Sequence, residues 1–249
     1  MLSLPVTTTL LSSCVVFELF KQFLDTSFIP APHKYASEKR HKWKNILGSF
    51  IHASYCAVTG ICCLILTPEY LSDRVNTFEQ NGALMSAASM GYFLHDTLDS
   101  LRNQNVAQSW PILLHHVFIF SVGVKFLWRQ SLLGYGLIST LVEVNGVFLH
   151  LRQLLLMYGV PKQSKLYKIN LFLNIITYLG LRVGVLVVME ICLIYDRQLM
   201  PLWVNNLMLV ATLVIIVINL VLLHRIIKVD VISENSDFKL NTRKHVMDW

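Results

Sequence analysis

Seven apolar stretches follow one another along the chain, and short polar or proline-containing connections separate them. Each stretch approaches or exceeds the length of about 20 apolar residues with which a helix crosses the hydrocarbon core of a bilayer. The pattern therefore predicts an all-α fold, a polytopic membrane helical bundle of about seven transmembrane helices. The predicted helices cover residues 4–24, 46–66, 82–101, 112–128, 132–156, 169–195 and 203–227.

Prolines mark most of the predicted connections. A proline inside a helix removes a backbone hydrogen-bond donor, so prolines are better tolerated between helices. Gln130 and Gly134 mark the remaining connection, which is predicted to be a very tight turn. The prolines between or just outside the apolar stretches are Pro30, Pro32, Pro68, Pro111, Pro161 and Pro201.

The first apolar stretch is predicted to be a retained transmembrane helix rather than a signal peptide. It has no basic segment before it and no A-x-A cleavage site after it. It differs from the other stretches in carrying two charged residues, Glu18 and Lys21.

The composition agrees with a membrane protein. Of 249 residues, 54% are hydrophobic and only 14% are charged, whereas soluble domains are about one quarter charged. This balance excludes ordinary soluble, fibrous and disordered chains. All five cysteines lie inside apolar stretches, which gives no support to a disulfide scaffold or a cysteine metal site. No nucleic-acid partner is expected from the net charge of +6, because the basic residues form short clusters between the apolar stretches.

The distribution of lysine and arginine predicts the orientation in the membrane. The odd-numbered connections and the C-terminal tail together hold 14 of these residues, whereas the even-numbered connections hold only Arg74, Arg129 and Arg197. Since cytosolic segments are enriched in lysine and arginine, we expect an N-terminus outside and a C-terminus in the cytosol.

Several polar residues inside the predicted helices are candidates for a functional site, because ionisable groups in a membrane are costly and usually face a cavity or the bundle interior. The predicted topology places them in the cytosolic half of the membrane. The candidates for catalysis are His115, His116, Glu143 and Asp96. The candidates for binding a lipid head group are His95, Asp99, Asn145, Asn174 and Arg182.

Spacing and residue type limit the chemistry of these candidates. His95, Asp96 and Asp99 share one sector of a helix, whereas adjacent histidines at 115 and 116 diverge by about 100° and are poorly placed to hold one metal together. No HxxxH box lies near them and no HExxH motif is present, so no metal is predicted. A histidine assisted by a carboxylate suits acyl transfer to a lipid amine or hydroxyl.

Some candidates also have purely structural interpretations. Asp99 is close enough to the predicted cytosolic face to reach the aqueous interface. Asn174 is equally suited to a hydrogen bond with a neighbouring helix.

Four segments resemble motifs of the TLC-domain family, which includes the ceramide synthases. They are W-K-N-x-x-x-S-F-x-H at 43–52, G-Y-F-x-H-D-T-x-D at 91–99, S-W-x-x-L-x-H-H-V at 109–117 and T-L-V-E-V at 140–144. The resemblance divides the chain into an N-terminal transmembrane helix with a basic cytosolic loop (1–39), a TLC domain (40–228) and a cytosolic polar tail (229–249).

The resemblance implies a six-helix TLC core with one additional N-terminal helix around a cavity for a lipid tail. His115 and His116 match the paired histidines of the ceramide synthases, and Glu143 stands for the first of their two downstream acids. Gly146 occupies the position of the second acid, so the match to a ceramide synthase is incomplete. An acyltransferase of this type would use acyl-CoA; otherwise no cofactor is expected.

Small members of the family are described as regulators of membrane phospholipid composition and fluidity. They limit the incorporation of polyunsaturated acyl chains into phospholipids, notably phosphatidylethanolamine, at the plasma membrane. The resemblance thus implies such a regulator, with membrane phospholipids or fatty acyl chains as partners. A histidine-dependent lipid acyltransferase, and a location in the endoplasmic reticulum, remain as alternatives.

Two other membrane classes fit the sequence less well. A seven-helix receptor agrees with the predicted topology, but the chain has no D-R-Y or N-P-x-x-Y motif. A transporter is not supported by an inverted repeat or by a pair of interrupted helices.

Overall fold

The computed structural model describes residues 2–26, 40–103 and 106–232, and the secondary structure in these ranges is helical throughout. The all-α class is therefore confirmed. The α-helices are α1 (Leu4–Thr26), α2 (Arg40–Leu66), α3 (Glu69–Ser72), α4 (Gln80–Asn103), α5 (Val106–Arg129), α6 (Leu133–Ser139), α7 (Val142–Met157), α8 (Lys165–Thr177), α9 (Val185–Tyr195) and α10 (Leu202–Ile227).

The seven apolar stretches coincide with these helices, but two boundaries differ from the prediction. α2 begins at Arg40 rather than at residue 46, because its polar first turns continue the helix beyond the apolar run. α5 begins at Val106, so the expectation that Pro111 lies outside a helix is wrong. The tight turn is found where predicted, with positive φ angles at Gln130 (53°) and Leu132 (64°).

Two of the long predicted helices, at 132–156 and 169–195, contain local irregularities. Between α6 and α7 the backbone hydrogen bonds change to the tighter i to i+3 pattern, for example from the Glu143 amide to the Thr140 carbonyl (2.9 Å). Between α8 and α9 the helix widens into a π-helical turn, Tyr178–Gly184, without interrupting the chain direction. Segments of π-helix are rare and frequently lie at functional sites.

Four helical segments are long and apolar enough to cross a membrane, judged by length and composition within the described ranges. The chain is a multi-pass membrane protein. α4 is not among the four, because it carries His95, Asp96 and Asp99 in its second half. The predicted number of seven spans therefore stays a prediction. The four segments are Leu4–Thr26, Arg40–Leu66, Lys165–Gln198 and Leu202–Asp230.

α4 lies in the interior of the bundle and packs against α1, α2 and α5. Its contact with α1 is especially close at Gly91, where an added Cβ would lie 2.3 Å from the Leu10 carbonyl oxygen. Next to this point, the Ser13 hydroxyl of α1 donates a hydrogen bond to the Ala88 carbonyl (2.6 Å). Only a residue without a side chain allows two helices to approach this closely.

Buried ion pairs hold the helix ends together. Arg74, in the connection before α4, donates to both carboxylate oxygens of Asp196 at the end of α9 (2.8 and 3.0 Å), and Tyr135 donates to the same group (2.7 Å). Hydrogen bonding to Asp196 raises the pKa of the Arg74 guanidinium. A second carboxylate, Asp230 after α10, accepts from Arg152 of α7 (2.6 Å).

The second ion pair is extended by two more groups. Lys162 Nζ lies 3.0 Å from the Asp230 carboxylate, and the Tyr167 hydroxyl donates to the same carboxylate at 3.0 Å.

Leu24, Trp43 and Met157 meet in one apolar cluster, which places the end of α1, the start of α2 and the end of α7 at the same end of the bundle. The long helices therefore alternate in direction.

Two predicted segments lie largely outside the described residues. The basic loop between α1 and α2 falls on residues 27–39, and the polar C-terminal tail falls mainly on 233–249.

Candidate functional site

Three pairs of polar side chains connect α2 to α4. On α2 these residues recur at i, i+4 and i+7, and on α4 at i, i+3 and i+7, so each set lies on one face of its helix. The two helices run antiparallel, so successive polar residues toward the C-terminus of α2 pair with successive polar residues toward the N-terminus of α4. We call this set the polar ladder. Its pairs are Asn45–Asp96 (Nδ2 to Oδ1, 2.6 Å), Ser49–Tyr92 (Oγ to Oη, 2.9 Å) and His52–Ser89 (Nε2 to Oγ, 2.9 Å).

The ladder is closely packed as well as hydrogen-bonded. The His52 ring stacks on Tyr92 with centroids 3.9 Å apart, and Cys56 Sγ lies 3.2 Å from His52 Nε2. His52 and Ser89 are both buried. A fully paired polar network of this kind fixes the register of two helices, because a shift would leave every member without its partner.

Asp96 joins the ladder to the histidine pair on α5. One carboxylate oxygen accepts from Asn45, and the other lies 2.8 Å from Nδ1 of His116. The carboxylate is 5% exposed, and the Phe93 ring lies 5.2 Å from the His116 ring. The contact does not have the geometry of a hydrogen bond, but it places the Asp96 carboxylate directly beside the His116 ring.

His115 diverges from His116, as expected for adjacent residues on a helix. The two ring centroids are 5.7 Å apart with 49° between the ring planes. Because adjacent residues of a helix project about 100° apart, the two imidazoles point in different directions.

Glu143 and Arg182 lie beside the two helix irregularities. Glu143 follows the tight segment before α7, and its carboxylate folds back over Gly146, where an added Cβ would be 2.6 Å from Oε2. The Glu143 carboxylate interacts with the charges of Arg182 and His116 at a distance. Among the described side chains, no basic group lies within 4 Å of it. Gly146 therefore leaves room for the Glu143 carboxylate.

Arg182 lies in the π-helical turn and is only partly paired. Its Nη1 donates to Asn219 of α10 (3.3 Å), and its guanidinium lies 5.5 Å from the centre of the Tyr178 ring. Its buried Nε has no hydrogen-bond partner among the described residues. The side chain thus keeps an unused donor in the bundle interior.

His95 and Asp99 face the N-terminal helix, while Asp96 faces α2 and α5. His95 Nε2 lies 3.3 Å from the Glu18 carboxylate, and Asp99 forms a close ion pair with Lys21 of α1. All three α4 residues border one cleft. His95, Asp96 and Asp99 therefore lie on one side of α4, as predicted. His95 and Asp99 contact α1, whereas Asp96 contacts α2 and α5.

Asn145 and Asn174 are brought together by the structure. Asn145 Nδ2 donates to the side-chain and main-chain oxygens of Asn174, both at 2.9 Å, and both residues are fully buried. The pair joins α7 to α8. The contacts of the pair are hydrogen bonds between two helices, as the structural interpretation of Asn174 predicted. That the two residues bind a lipid head group stays a prediction.

The sequence reasoning missed the roles of Asn45 and of the charged residues of α1. A signal for Asn45 existed in the regular i, i+4, i+7 spacing of polar residues in an otherwise apolar helix. No such signal exists for Glu18 and Lys21, because their partners lie about 75 residues away on α4. Among the described residues, no group of three or more His, Cys, Asp or Glu side chains is arranged to hold a metal.

A family model and several individual proteins relate this chain to the same group, the proteins that contain a TLC domain. The sequence matches the TLC domain over residues 42–228. It is similar to TLC domain-containing protein 2 of Danio rerio, at 32% identity over 87% of each chain. It is also similar to TLC domain-containing protein 1 of Gallus gallus, at 35% identity over 57% of this chain and 56% of the relative, and of Mus musculus, at 29% over 72% of each. No solved structure matches.

Proposed function

This chain belongs to the TLC-domain family, and on that basis we propose that it regulates the acyl composition of membrane phospholipids. In this proposal it limits the incorporation of polyunsaturated chains into phospholipids, phosphatidylethanolamine in particular, and so sets membrane fluidity. The observation that supports it most directly is the contact between Asp96 and His116 in the interior of an apolar bundle. Buried ionisable groups in a membrane protein are costly, and they commonly serve substrates or lipids.

The proposal includes seven transmembrane helices and an outside N-terminus. Two observations support it. The helix ends alternate between the Asp196 and Asp230 ends of the bundle, and all seven apolar stretches are helical. In this orientation the Asp230 end, which also carries Lys165 and Lys168, lies in the cytosol. We place the protein in the plasma membrane, with the endoplasmic reticulum as the alternative.

The first prediction tests this function in cells. Cells without the protein are expected to contain more polyunsaturated phosphatidylethanolamine than wild-type cells, and re-expression should reverse this. The His116→Gln variant should reverse only a small part of the change, because glutamine is similar in size but cannot accept and release a proton as imidazole does. Phospholipid mass spectrometry measures the acyl chains, and an environment-sensitive dye measures membrane order.

The matched control is His224→Gln, since His224 is an exposed histidine in the last turn of α10. It should restore the wild-type composition at equal protein abundance. Unchanged polyunsaturated phosphatidylethanolamine and unchanged membrane order after loss of the protein would refute the proposed function.

A second candidate function is a lipid acyltransferase, and the Asp96–His116 contact favours it as well. In such a reaction His116 would take the proton from an acceptor hydroxyl or amine. The acceptor oxygen or nitrogen would bond to the thioester carbonyl carbon, and coenzyme A would leave as a thiol after receiving the proton. Asp96 would stabilise the imidazolium formed between these steps.

The second prediction addresses this reaction. Purified protein with labelled acyl-CoA and amine- or hydroxyl-bearing lipids is expected to form labelled product if this candidate is correct. His116→Ala should then lower the rate by at least about 100-fold, the usual contribution of a general base. Product formation that is equal in His116→Ala and wild type would exclude a catalytic role for this histidine.

A further inference from the structure

Four exposed cations lie at the Asp230 end of the bundle, where the start of α8 meets the end of α10. We call this set the basic surface. Its members are Lys165 and Lys168 of α8, Arg225 of α10, and Lys228 in the helical turn that continues α10 (Lys228–Ile232). The two cations on each helix are spaced i, i+3, so they lie on one face of that helix.

Contacts between the start of α8 and the end of α10 hold the two pairs of cations side by side. The hydroxyl of Tyr167, which lies between the two lysines in the sequence, donates to Asp230 at 3.0 Å. Lys162, just before α8, donates to the Val229 carbonyl at 3.2 Å. Tyr167 also belongs to the same apolar cluster as Ile226. One anionic surface can therefore meet both pairs.

The described part of the protein does not neutralise the basic surface. None of its four members forms an ion pair with another described residue. Asp230 is 1% exposed, and it already contacts Arg152, Lys162 and Tyr167. Residues 233–249, which lie outside the described ranges, include three acidic side chains and three lysines or arginines, so their side chains add no net negative charge. The basic surface thus keeps an excess of positive charge.

Membrane orientation explains only part of this pattern. Orientation requires an excess of lysine and arginine on the cytosolic side, and acidic residues contribute little to it, so it does not require their absence. Lys165 and Lys168 also lie in the first turn of α8, where no acidic residue is present and positive charge opposes the helix dipole. The two lysines are therefore unfavourable for the helix itself. A bound anion would offset this cost.

Exposed apolar side chains continue the basic surface along both helices. Ile169 and Phe172 follow the two lysines by one helical turn and are 59% and 62% exposed. Val221, one turn before Arg225, is 57% exposed. A soluble anion would meet only the charged part of this surface. A phospholipid matches both parts, because its head group reaches the cations while its acyl chains lie along the apolar side chains.

We propose that the basic surface binds anionic phospholipids of the cytosolic leaflet, and that head groups with phosphomonoesters bind most tightly. A phosphomonoester carries a charge of about −1.5 to −2 at neutral pH, so it neutralises more of the four cations than a phosphodiester does. Clusters of this size beside the cytosolic ends of transmembrane helices are typical of sites for such lipids. The lipid lies on the outside of the bundle, apart from the Asp96–His116 contact. The predicted orientation enters only in naming the leaflet.

The third prediction concerns lipid binding by the purified full-length protein in a non-ionic detergent. Short-chain phosphatidylinositol bisphosphate should bind at least tenfold more tightly than phosphatidylserine, and phosphatidylserine more tightly than phosphatidylcholine. Native mass spectrometry counts the bound lipid. Lys165→Gln/Lys168→Gln and Arg225→Gln/Lys228→Gln should each weaken bisphosphate binding at least fivefold, because each removes the cations of one helix. Added salt should weaken wild-type binding, since it screens exposed charges.

Arg129→Gln/Arg197→Gln is the matched control. Both arginines are exposed at the Asp196 end of the bundle, so this variant loses the same charge far from the basic surface. It should bind the bisphosphate lipid as the wild type does. All three variants should unfold near the wild-type temperature, because the substituted side chains are exposed. Wild-type affinity in both variants of the basic surface, or an equal loss in the control, would overturn the inference.

A soluble ligand separates a lipid site from a site for soluble anions. Inositol trisphosphate carries the same kind of phosphates without acyl chains, and it should bind at least tenfold more weakly than the lipid. Equal affinity would assign the surface to soluble polyanions and overturn the lipid proposal. The cellular test of the proposed function uses neither variant of the basic surface, so the two proposals fail independently.

Discussion

Asp96→Ala is expected to lower the free energy of unfolding by about 3 kcal/mol, because it removes a buried carboxylate that both Asn45 and His116 contact. Asn45 would lose its acceptor at 2.6 Å, and His116 would lose the carboxylate at 2.8 Å. Asn45 is half-buried, and the His116 side chain is 14% exposed, so both are partly shielded from water. Denaturant unfolding in mixed micelles, followed by the change in helix content, measures the loss.

Two related variants separate charge from shape. Asp96→Asn keeps the volume and one acceptor oxygen but loses the charge, so it should cost less than Asp96→Ala. Asn45→Ala removes only one hydrogen bond to a charged group and should cost about 2 kcal/mol. Near-wild-type stability of Asp96→Ala would show that the polar ladder does not hold the two helices together.

A double-mutant cycle shows whether Asp96 and His116 act as one unit. If they do, Asp96→Ala and His116→Ala together should cost clearly less than the sum of the single changes, since the second change removes a group that the first has already left unpaired. Additive effects would mean that the 2.8 Å contact contributes little to stability. The cycle gives a thermodynamic test of the pair that is independent of any lipid assay.

Much of the helical organisation could be predicted from hydropathy alone. Hydropathy reports where apolar residues lie, and every apolar stretch proved to be helical. It could not find the true start of α2, because residues 40–45 are polar apart from Trp43 and yet continue the helix. It also could not place Pro111 inside α5, because that depends on a helix start at Val106 within a polar segment.

The sequence indicated many of the polar residues of the site but not which of them contact one another. The polar positions of α4 and the histidine pair are visible in the sequence, and so is Glu143 on its apolar background. That Asp96 faces His116 while Asp99 faces Lys21 depends on the rotation of α4 between three neighbouring helices. Such a rotation is set by the packing of side chains distant in sequence, at Gly91 for example, and no local pattern encodes it.

The irregular helices illustrate the same limit. Neither the tight segment before α7 nor the π-helical turn before α9 contains a proline. The hydroxyls of Ser139 and Thr140 donate to carbonyls three residues back in the tight segment, and the π-helical turn contains Gly180 and Gly184, but such residues do not by themselves predict an irregular helix. Both lie where a charged side chain has to be accommodated in the bundle interior. We interpret them as adjustments of the backbone to tertiary contacts around Glu143 and Arg182.

Gly91→Val is expected to separate α1 from α4 and to lower the free energy of unfolding by about 3 kcal/mol, at the upper end of the cost of overpacking. The first added carbon would already lie 2.3 Å from the Leu10 carbonyl oxygen and 3.0 Å from the Cys14 amide nitrogen. These are backbone atoms of a helix, so α1 has to move as a whole. The Ser13–Ala88 hydrogen bond would break with it.

Gly123→Val is the control for this change. An added carbon there also meets an atom at 2.3 Å, but that atom belongs to the flexible Met90 side chain, which can rotate away. Its cost should be below about 1.5 kcal/mol, the usual limit for changes that a core can absorb by repacking. The comparison separates a collision with backbone from a collision with a side chain.

The position of α1 can be measured directly through its ion pair. Lys21 and Asp99 are in close contact in the wild type, so a membrane-permeant carbodiimide should join them by an amide bond that peptide mass spectrometry detects. Gly91→Val should lose this cross-link and Gly123→Val should keep it. If the cross-link persists in Gly91→Val with wild-type stability, α1 does not depend on the close approach at residue 91. Loss of the cross-link together with lower stability would show that the close approach at residue 91 holds α1, which lies outside the matched domain, against α4.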